Sequence, residues 1–373
     1  MIIGVLREGG MENRVALLPE HIPSLVKKNV TVLIESDAGD SSCASNVEYV
    51  DAGAAIQTQE YILKNSDIVL KINPPEEKEI PAGKLLVSIL NPLINTALMK
   101  KLARANVTAF SLDMIPRSTR AQAVDILSSM ATIAGYKAVL VAASKLPNFF
   151  PMFMSASGTI KPSKVLILGA GVAGLQSLAT ARKLGAVVEV FDVRPAVKEE
   201  VLSLGGKFIE VEGAKDDASA GGYAVEQTEE YKQRQQELIN KHAIQSNVVI
   251  CTAQIPGKKA PILIPKETVE AMKPGSVIID IAAGSGGNCE LTQKDETIIH
   301  NQVRIIGNSN YPSKMPADAS KMLGRNYLNF LDLMINSEGE LSIDFSDDIL
   351  KSTCITRNGE IENDRVKEII SLE

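Results

Sequence analysis

A short apolar run, VLIL, leads directly into GAGVAGLQSLATARKLG, and this junction constrains the fold more than any other feature of the sequence. Gly169, Gly171 and Gly174 give the spacing G-x-G-x-x-G between a predicted strand and a predicted helix. In such a loop the first glycine permits a tight turn, the second lets a pyrophosphate approach the backbone, and the third lets the helix close on the strand. The helix N-terminus adds unpaired N–H groups and a positive dipole end. The junction therefore predicts a dinucleotide-binding domain.

Six apolar strand segments follow one another from Lys164 onward, which indicates a complete dinucleotide-binding sheet. They are VLIL, VVEVFD, KFIEVE, NVVICTA, SVIIDIA and VRIIGN. Asp192 ends the second strand, where a carboxylate accepts hydrogen bonds from both adenosine ribose hydroxyls and repels a 2′-phosphate. The alternative interpretation is a turn residue at a strand end. Arg194 follows closely and softens the preference, so the sequence favours NAD(H) over NADP(H). The candidate cofactor residues are Gly169, Gly171, Val172, Ala173, Gly174, Asp192, Arg194, Thr252 and Ala253.

The N-terminal region alternates short apolar strands with helical segments, which is typical of a parallel sheet covered on both faces. The strands are IIGVL, VTVLIES, IVLKI, KLLVSIL and VTAFSLD, and the helical segments include PEHIPSLVKKN and NTALMKKLARAN. No glycine-rich turn follows any of these strands, so this region should not hold a dinucleotide in the usual way. The whole sequence predicts an α/β fold of two Rossmann-like, doubly wound parallel-sheet domains separated by a cleft. Only the second domain has a dinucleotide fingerprint.

The C-terminal segment is predicted to return to the first domain, because the second sheet is already complete. ADASKMLGRNYLNFLDLMI has the pattern of one long amphipathic helix, and CITRNGEI is typical of a hairpin with Asn358 and Gly359 at its turn. The polar stretch EGAKDDASAGGYAVEQ is either a lid over the cofactor or an exposed connection. The predicted organisation is an N-terminal domain of 1–125 with 318–373, a connecting helix at 126–145, and an NAD(H)-binding domain at 146–317.

The stretch RSTRAQAVDILSSMATIAGYKAV has the spacing of a helix with an unusual row of polar side chains. Gln122, Asp125 and Ser129 fall three and four residues apart and would share one face. The row is either the solvated side of an amphipathic helix or a portion of a site, and the spacing alone leaves both open. Apolar side chains would line another face: Val124, Leu127, Ala131, Ala134 and Ala138.

Charge and composition exclude several classes of function. The net charge of −6 argues against a general attraction to nucleic acid or anionic lipid. Four cysteines lie far apart without a CxxC pair, which argues against a zinc site and a disulfide framework. We expect His21, His242 and His300 at the surface. The sequence has neither an apolar run of about 18 residues nor a secretory signal, which predicts a soluble cytoplasmic protein.

Several motifs together closely resemble the NAD(H)-binding component of proton-translocating nicotinamide nucleotide transhydrogenases, over nearly the whole chain. They are RSTRAQAVDILSS, GTIKPSKVLILGAGVAGL, FDVRPAVKEEV, GGYAVE, IPGKKAP, KPGSVIIDIA, GGNCELT and YLNFL. The resemblance implies hydride transfer between NAD(H) bound here and NADP(H) on a partner subunit, coupled to proton movement through a membrane component. It also implies a homodimeric, metal-free α1-type subunit. Its partners would be a membrane-spanning subunit and an NADP(H)-binding β subunit, at the inner face of the cell membrane.

The same resemblance assigns roles to the polar row. Arg117 and Asp125 should orient the nicotinamide of NAD(H), and Gln122 should reach NADP(H) on the partner subunit. Thr132 and Gln254 depart from the family, which usually has asparagine and leucine there, and we expect both near the cofactor. The remaining candidates, which would contact NAD(H), are Ser128, Ser129 and Tyr223, the last folding over the bound cofactor.

The neighbouring alanine dehydrogenases share this resemblance but bind their amino acid in a polar pocket. That pocket uses an arginine in N-x-R-V-A, a lysine in K-V-K-E-P, a histidine in a strand-end L-H and an aspartate in D-I-A-x-D-x-G-G. This chain keeps Arg14 and has Asn73, Asn91 and Gly284 in the other places. No obvious group remains to polarise a keto group or move its proton, which argues against oxidation of alanine. An alanine-type dehydrogenase and a non-catalytic NAD-binding module are the alternatives.

Overall fold

The computed structural model describes residues 1–211, 228–255 and 257–372, which fall into two compact units. One unit comprises Met1–Met130 with Ser313–Glu373, and the other comprises Ala131–Pro312. Each unit contains one large, mostly parallel β-sheet, so the predicted α/β class is confirmed. The boundaries predicted from the sequence, with a separate connecting helix, stay a prediction. The stretch EGAKDDASAGGYAVEQ, including Tyr223, lies outside the described residues.

The strands and helices are numbered in chain order. The strands are β1 Ile2–Val5, β2 Thr31–Glu35, β3 Ala55–Gln57, β4 Ile68–Leu70, β5 Leu85–Ser88, β6 Thr108–Ser111, β7 Phe153–Ser155, β8 Gly158–Ile160, β9 Lys164–Leu168, β10 Val187–Phe191, β11 Lys207–Ile209, β12 Val248–Cys251, β13 Val277–Asp280, β14 Thr297–His300, β15 Val303–Ile306, β16 Cys354–Arg357 and β17 Glu360–Ile361. The helices are α1 Ile22–Val26, α2 Asn46–Asp51, α3 Gln59–Asn65, α4 Thr96–Arg104, α5 Ile126–Lys145, α6 Val172–Lys183, α7 Lys198–Ser203, α8 Glu229–Gln245, α9 Lys266–Ala271, α10 Pro316–Leu331, α11 Asp348–Thr353 and α12 Asp364–Leu372.

The sheet of the first unit has eight strands in the order β17-β16-β6-β5-β4-β1-β2-β3. Strands β1 to β6 are parallel and follow a doubly wound order. β16 pairs antiparallel with β6, with Cys354 opposite Phe110, so the C-terminal segment returns to the first sheet as predicted. Asn358 and Gly359, with φ of 52° and 81°, form the predicted two-residue turn into β17.

The sheet of the second unit has seven strands in the order β11-β10-β9-β12-β13-β15-β14. All six predicted strands are present and parallel. Along β9, Val165 and Ile167 pack into one apolar core while Leu166 and Leu168 pack into another. The sheet is therefore buried on both faces, as expected for a doubly wound domain. Edge strands β3 and β14 were not in the predicted series, because both are short and only half-buried.

Helix α5 is, among the described residues, the one helix long and apolar enough to cross a bilayer. It has 20 residues and a mean hydropathy of 1.6 over its best window, although Lys137 interrupts the apolar run. Ala138, Val139 and Ala142 on this helix belong to the core beneath the second sheet. This packing is that of a core helix, for which a high mean hydropathy is ordinary.

The histidines do not all lie at the surface, contrary to the expectation from the sequence. His21 is 2% exposed, and its Nδ1 accepts a hydrogen bond from the Leu18 N–H at 2.9 Å. The ring packs against Gly324 of α10, where an added Cβ would overlap the imidazole. The sequence prediction was wrong here because it considered His21 alone, without the helix that covers it.

Candidate functional site

The glycine loop joins β9 to α6, and its three glycines meet three different spatial demands. Gly169 has φ of 102°, and a Cβ there would lie 2.5 Å from Thr252 Oγ1, so the turn is too tight for a side chain. A Cβ on Gly174 would overlap the carbonyl oxygen of Gly169. Gly171 precedes the first turn of α6 in an extended conformation, and a Cβ there would meet nothing within 4 Å. The loop thus leaves open space at the helix N-terminus, where an anion can approach backbone N–H groups.

The Asp192 side chain, 6% exposed, follows β10 and is tied directly to the glycine loop. One carboxylate oxygen accepts the Ala170 N–H at 2.6 Å. Arg194 donates its backbone N–H at 2.9 Å and two guanidinium groups at 2.8 and 2.7 Å. Four donors occupy the lone-pair sites of this carboxylate and a cation offsets its charge. A ribose hydroxyl would have to displace or share one of these donors.

Thr252 and Ala253, which follow β12, also lie against the glycine loop. The Thr252 hydroxyl is within hydrogen-bond distance of the carbonyl oxygens of Leu168 and Gly169, 3.1 Å from each. This contact joins the end of β12 to the turn that Gly169 makes. Val172 and Ala173 form the first turn of α6, so the structure brings these candidates together within the second unit.

Sequence reasoning missed two buried residues that support this edge of the sheet. The Asn288 amide, fully buried, accepts the Ala253 N–H at 3.0 Å and donates to the Ala253 carbonyl at 2.9 Å. Asp280, also fully buried, accepts the Asn288 N–H at 2.7 Å and the Thr292 hydroxyl at 2.7 Å. Burial raises the pKa of the Asp280 carboxyl, while its hydrogen-bond donors act in the opposite direction. A polar pair directly after a buried strand was the signal that could have revealed them.

The polar row of the first unit does not lie on one helix, which corrects the sequence prediction. Residues Arg120–Val124 form a 3₁₀ turn, Asp125 leaves the helical conformation with ψ of 91°, and α5 begins at Ile126. Gln122, Asp125 and Ser129 therefore share no helical face. Leu127, expected on the apolar face, is 47% exposed. The physical reason is local, since an aspartate before a helix competes with helical periodicity by capping the helix.

Asp125 caps the N-terminus of α5. Its carboxylate accepts the Ser128 N–H at 3.0 Å and the Ser128 hydroxyl at 2.6 Å, and its carbonyl accepts the Ser129 hydroxyl at 3.1 Å. The Asp125 N–H donates to the Gln122 carbonyl at 3.3 Å. Four of the candidate residues thus form one connected group, and Arg117 lies exposed just before it.

We expect Asp125→Ala to destabilise the protein by about 0.5–2 kcal/mol, the usual loss when an N-cap is removed. Asp125→Asn should cost far less, because asparagine caps a helix about as well as aspartate. Urea unfolding of both variants measures this difference. Equal unfolding midpoints for the alanine variant and the unchanged protein would contradict the capping role.

The arginine that could bind a substrate carboxylate is already paired within the first unit. Arg14 donates to both carboxylate oxygens of Glu12, at 2.7 and 2.6 Å, and both side chains are buried. Asn73 donates to Glu12 at 3.3 Å and to Glu8 at 3.1 Å. Burial raises the pKa of Glu8. Asn91 and Gly284 are exposed, so no acid–base group takes the positions of the missing lysine, histidine and aspartate.

The candidate residues therefore fall into two groups, each assembled within its own unit. The glycine loop, Asp192, Arg194, Thr252 and Ala253 belong to the second unit. Arg117, Gln122, Asp125, Ser128 and Ser129 belong to the first unit. Tyr223 lies outside the described residues.

Two family domains match nearly the whole chain. Residues 4–134 match the alanine dehydrogenase/PNT N-terminal domain, and residues 138–364 match the alanine dehydrogenase/PNT C-terminal domain. The NAD(P) transhydrogenase subunit alpha of Haemophilus influenzae is 43% identical over 366 residues, which cover 96% of this chain and 71% of the relative. In Rhodospirillum rubrum the alpha subunit of NAD(P) transhydrogenase is divided, and its first portion is 42% identical over 362 residues, or 94% of each chain.

Two solved structures give the same result at the level of the fold. Transhydrogenase from Sinorhizobium meliloti has a TM-score of 0.89 and 38% identity, covering 97% of this chain and 100% of the other. An L-alanine dehydrogenase has a TM-score of 0.81 and 26% identity, covering 100% of this chain and 99% of the other. The chain therefore belongs to the alanine dehydrogenase/PNT family, and in these comparisons it is more similar to transhydrogenase alpha subunits than to alanine dehydrogenase.

Proposed function

We propose that this chain is the NAD(H)-binding alpha subunit of a proton-translocating NAD(P) transhydrogenase. It presents NAD(H) for direct hydride exchange with NADP(H) on a partner subunit, coupled to proton movement through a membrane component. The observation that carries the proposal is a contrast in the chain's own residues. The glycine loop is complete, whereas Asn73, Asn91 and Gly284 stand where a dehydrogenase of amino acids needs proton-transfer groups.

The residues present suit this chemistry. When bound, the nicotinamide supplies or receives the hydride, and no proton moves at the reacting carbons. The protein then has to hold the ring in position and exclude water. We assign Arg117 and Asp125, with Ser128 or Ser129, to the nicotinamide side of NAD(H), and we assign Gln122 to NADP(H) on the partner. Tyr223 is assigned to cover bound NAD(H).

The matched C-terminal family domain implies dinucleotide binding, and we propose NAD(H) as the dinucleotide. The support is the Asp192 carboxylate next to the glycine loop, since a negative charge there disfavours a 2′-phosphate. The Arg194 guanidinium partly offsets that charge. The preference for NAD(H) therefore depends on both side chains.

Asp192→Ala should weaken NADH binding by about 1–3 kcal/mol, the range expected when buried hydrogen-bonding partners lose their acceptor. Arg194→Ala is the matched control, because it keeps the carboxylate and removes its cation. That variant should retain NADH binding and discriminate more strongly against NADPH. Isothermal titration of both variants with both nucleotides measures this. An unchanged NADH dissociation constant in Asp192→Ala would remove Asp192 from the site.

The similarity to the first portion of a divided alpha subunit implies partner transhydrogenase subunits, and we propose that two copies of this chain bind them at the inner face of the cell membrane. An apolar hairpin supports the homodimer. Phe153, Met154 and Ile160 on β7 and β8 are 43–69% exposed, and Phe149 stacks on Phe153 with ring centroids 5.3 Å apart. Exposed apolar clusters of this kind are typical of protein–protein interfaces.

Titration of the purified chain with NADH and NADPH in parallel tests the cofactor assignment. We expect NADH to bind and NADPH to bind much more weakly. A parallel assay with alanine and NAD⁺ tests the alternative dehydrogenase, and we expect no turnover. Efficient alanine oxidation, or tighter binding of NADPH than of NADH, would contradict the proposed function.

A further inference from the structure

Two side-chain amides from α10 converge on one backbone carbonyl in the loop before α5. Asn326 Nδ2 lies 2.9 Å and Asn329 Nδ2 lies 2.8 Å from the Ala123 oxygen. Residues three apart lie on the same side of a helix, so a single face of α10 supplies both donors. A carbonyl oxygen has two lone pairs and accepts both hydrogen bonds. We call these two amides and the Ala123 carbonyl the amide clamp.

The loop that the clamp holds has little regular structure of its own. Its internal backbone hydrogen bonds reach back only three residues, from Ala121 to Ser118, from Gln122 to Thr119 and from Asp125 to Gln122, with lengths of 3.1, 3.4 and 3.3 Å. Such 3₁₀ bonds have poorer geometry than those of an α-helix. The conformation of the loop therefore depends on contacts with other elements.

A second contact from the same loop reaches α11. Arg120 pairs with Asp347 and with Asp348, and Asp347 also caps α11 through the Ile349 N–H at 2.9 Å. The Arg120 side chain is 49% exposed, so solvent screens these ion pairs and their contribution is small. Asn326 is 6% exposed. The buried amide clamp is consequently the stronger restraint on the loop.

The position of the clamp matters because of its neighbours in the chain. Ala123 follows Gln122 directly and precedes Asp125 by two residues. Fixing its carbonyl fixes the peptide planes from which these two side chains extend. Asn326 Oδ1 is buried and has no hydrogen-bond partner among the described residues. Burying that oxygen is unfavourable, so an amide here serves through its donor more than through folding stability.

We propose that Asn326 and Asn329 are positioning residues for hydride transfer. By holding the Ala123 carbonyl they set the direction of Gln122 towards the second nucleotide and the direction of Asp125 towards the first. This inference rests on the proposed function. A small displacement of groups that align two reactants lowers the rate far more than it lowers ground-state binding.

Asn326→Asp and Asn329→Asp test the clamp, because each keeps the shape of the side chain and replaces the donating amide with a carboxylate. Each full-length variant is mixed with an NADP(H)-binding transhydrogenase subunit, and hydride transfer from NADH to an NADP⁺ analogue is followed. We expect the rate to fall about ten-fold for each variant, while the NADH dissociation constant stays within about two-fold. Asn329→Gln retains a donor on a longer arm and should restore some of the rate. Arg325→Ala removes an exposed neighbour on α10 and should leave the rate unchanged.

Hydrogen–deuterium exchange provides a readout that does not depend on the reaction. Residues 117–125 should exchange faster in the aspartate variants, with α10 itself unchanged. Asn329 is only half-buried, so its variants should fold even if Asn326→Asp does not. Unchanged rate and exchange in Asn329→Asp, or equal losses in rate and NADH affinity, would overturn the inference. An unchanged protein that transfers no hydride would instead overturn the proposed function, and the exchange data would still test the clamp.

Discussion

Gly171→Val should reduce NADH binding by about 100-fold or more, which corresponds to about 2.8 kcal/mol. A side chain at this position enters the space at the N-terminus of α6 where a pyrophosphate meets the backbone N–H groups. The folded protein should be little affected, since a Cβ at Gly171 meets nothing within 4 Å. Titration with NADH and a thermal unfolding curve of the same sample measure both effects.

Gly174→Ala provides the matched control from the same loop. Its Cβ would overlap the Gly169 carbonyl, so the helix and strand would have to separate, at a cost of about 1–3 kcal/mol in unfolding free energy. The two variants therefore predict opposite patterns, with binding lost in one and stability lost in the other. Normal NADH binding by Gly171→Val would refute the assignment of the glycine loop to the pyrophosphate.

Gln122→Asn should slow hydride transfer by about 10–100-fold and leave the NADH dissociation constant within about two-fold. The change shortens the side chain by one methylene, so its amide falls short of a nucleotide held by the partner subunit. Gln122 is exposed and belongs to a loop rather than a core, so unfolding should be unaffected. Single-turnover mixing with the NADP(H)-binding subunit measures the rate.

Gln233→Asn is the control for this change, because it makes the same substitution on an exposed residue of α8. It should alter neither the rate nor the affinity. A collapse of NADH affinity in Gln122→Asn, with the rate lost in proportion, would show that Gln122 acts on the first nucleotide and that its assigned role is wrong.

The features that sequence reasoning predicted well depend on short stretches of chain. The three glycines, the strand before them and the helix after them lie within a few residues, and each meets a local demand of backbone geometry. The same holds for the Asn358-Gly359 turn. Sheet order followed from the strand-helix alternation, because crossovers in parallel sheets obey strong rules of connection.

The features that were missed or wrong depend on competition or on distance in the chain. Asp125 interrupts the predicted helix because capping outweighs periodicity at that residue. The clamp joins Ala123 to Asn326, which are 203 residues apart, and no periodicity in a single sequence relates them. His21 was expected at the surface, but α10, from the other end of the first unit's sequence, buries it.

The most direct test of the central claim uses NADH carrying deuterium at both C4 positions. The purified chain is mixed in ordinary water with an NADP(H)-binding transhydrogenase subunit and an NADP⁺ analogue, and the reduced analogue is analysed by mass spectrometry. Direct transfer between two nicotinamides predicts one deuterium in every molecule of product, with none lost to water. Product without deuterium, or no transfer at all by the mixture, would contradict the account.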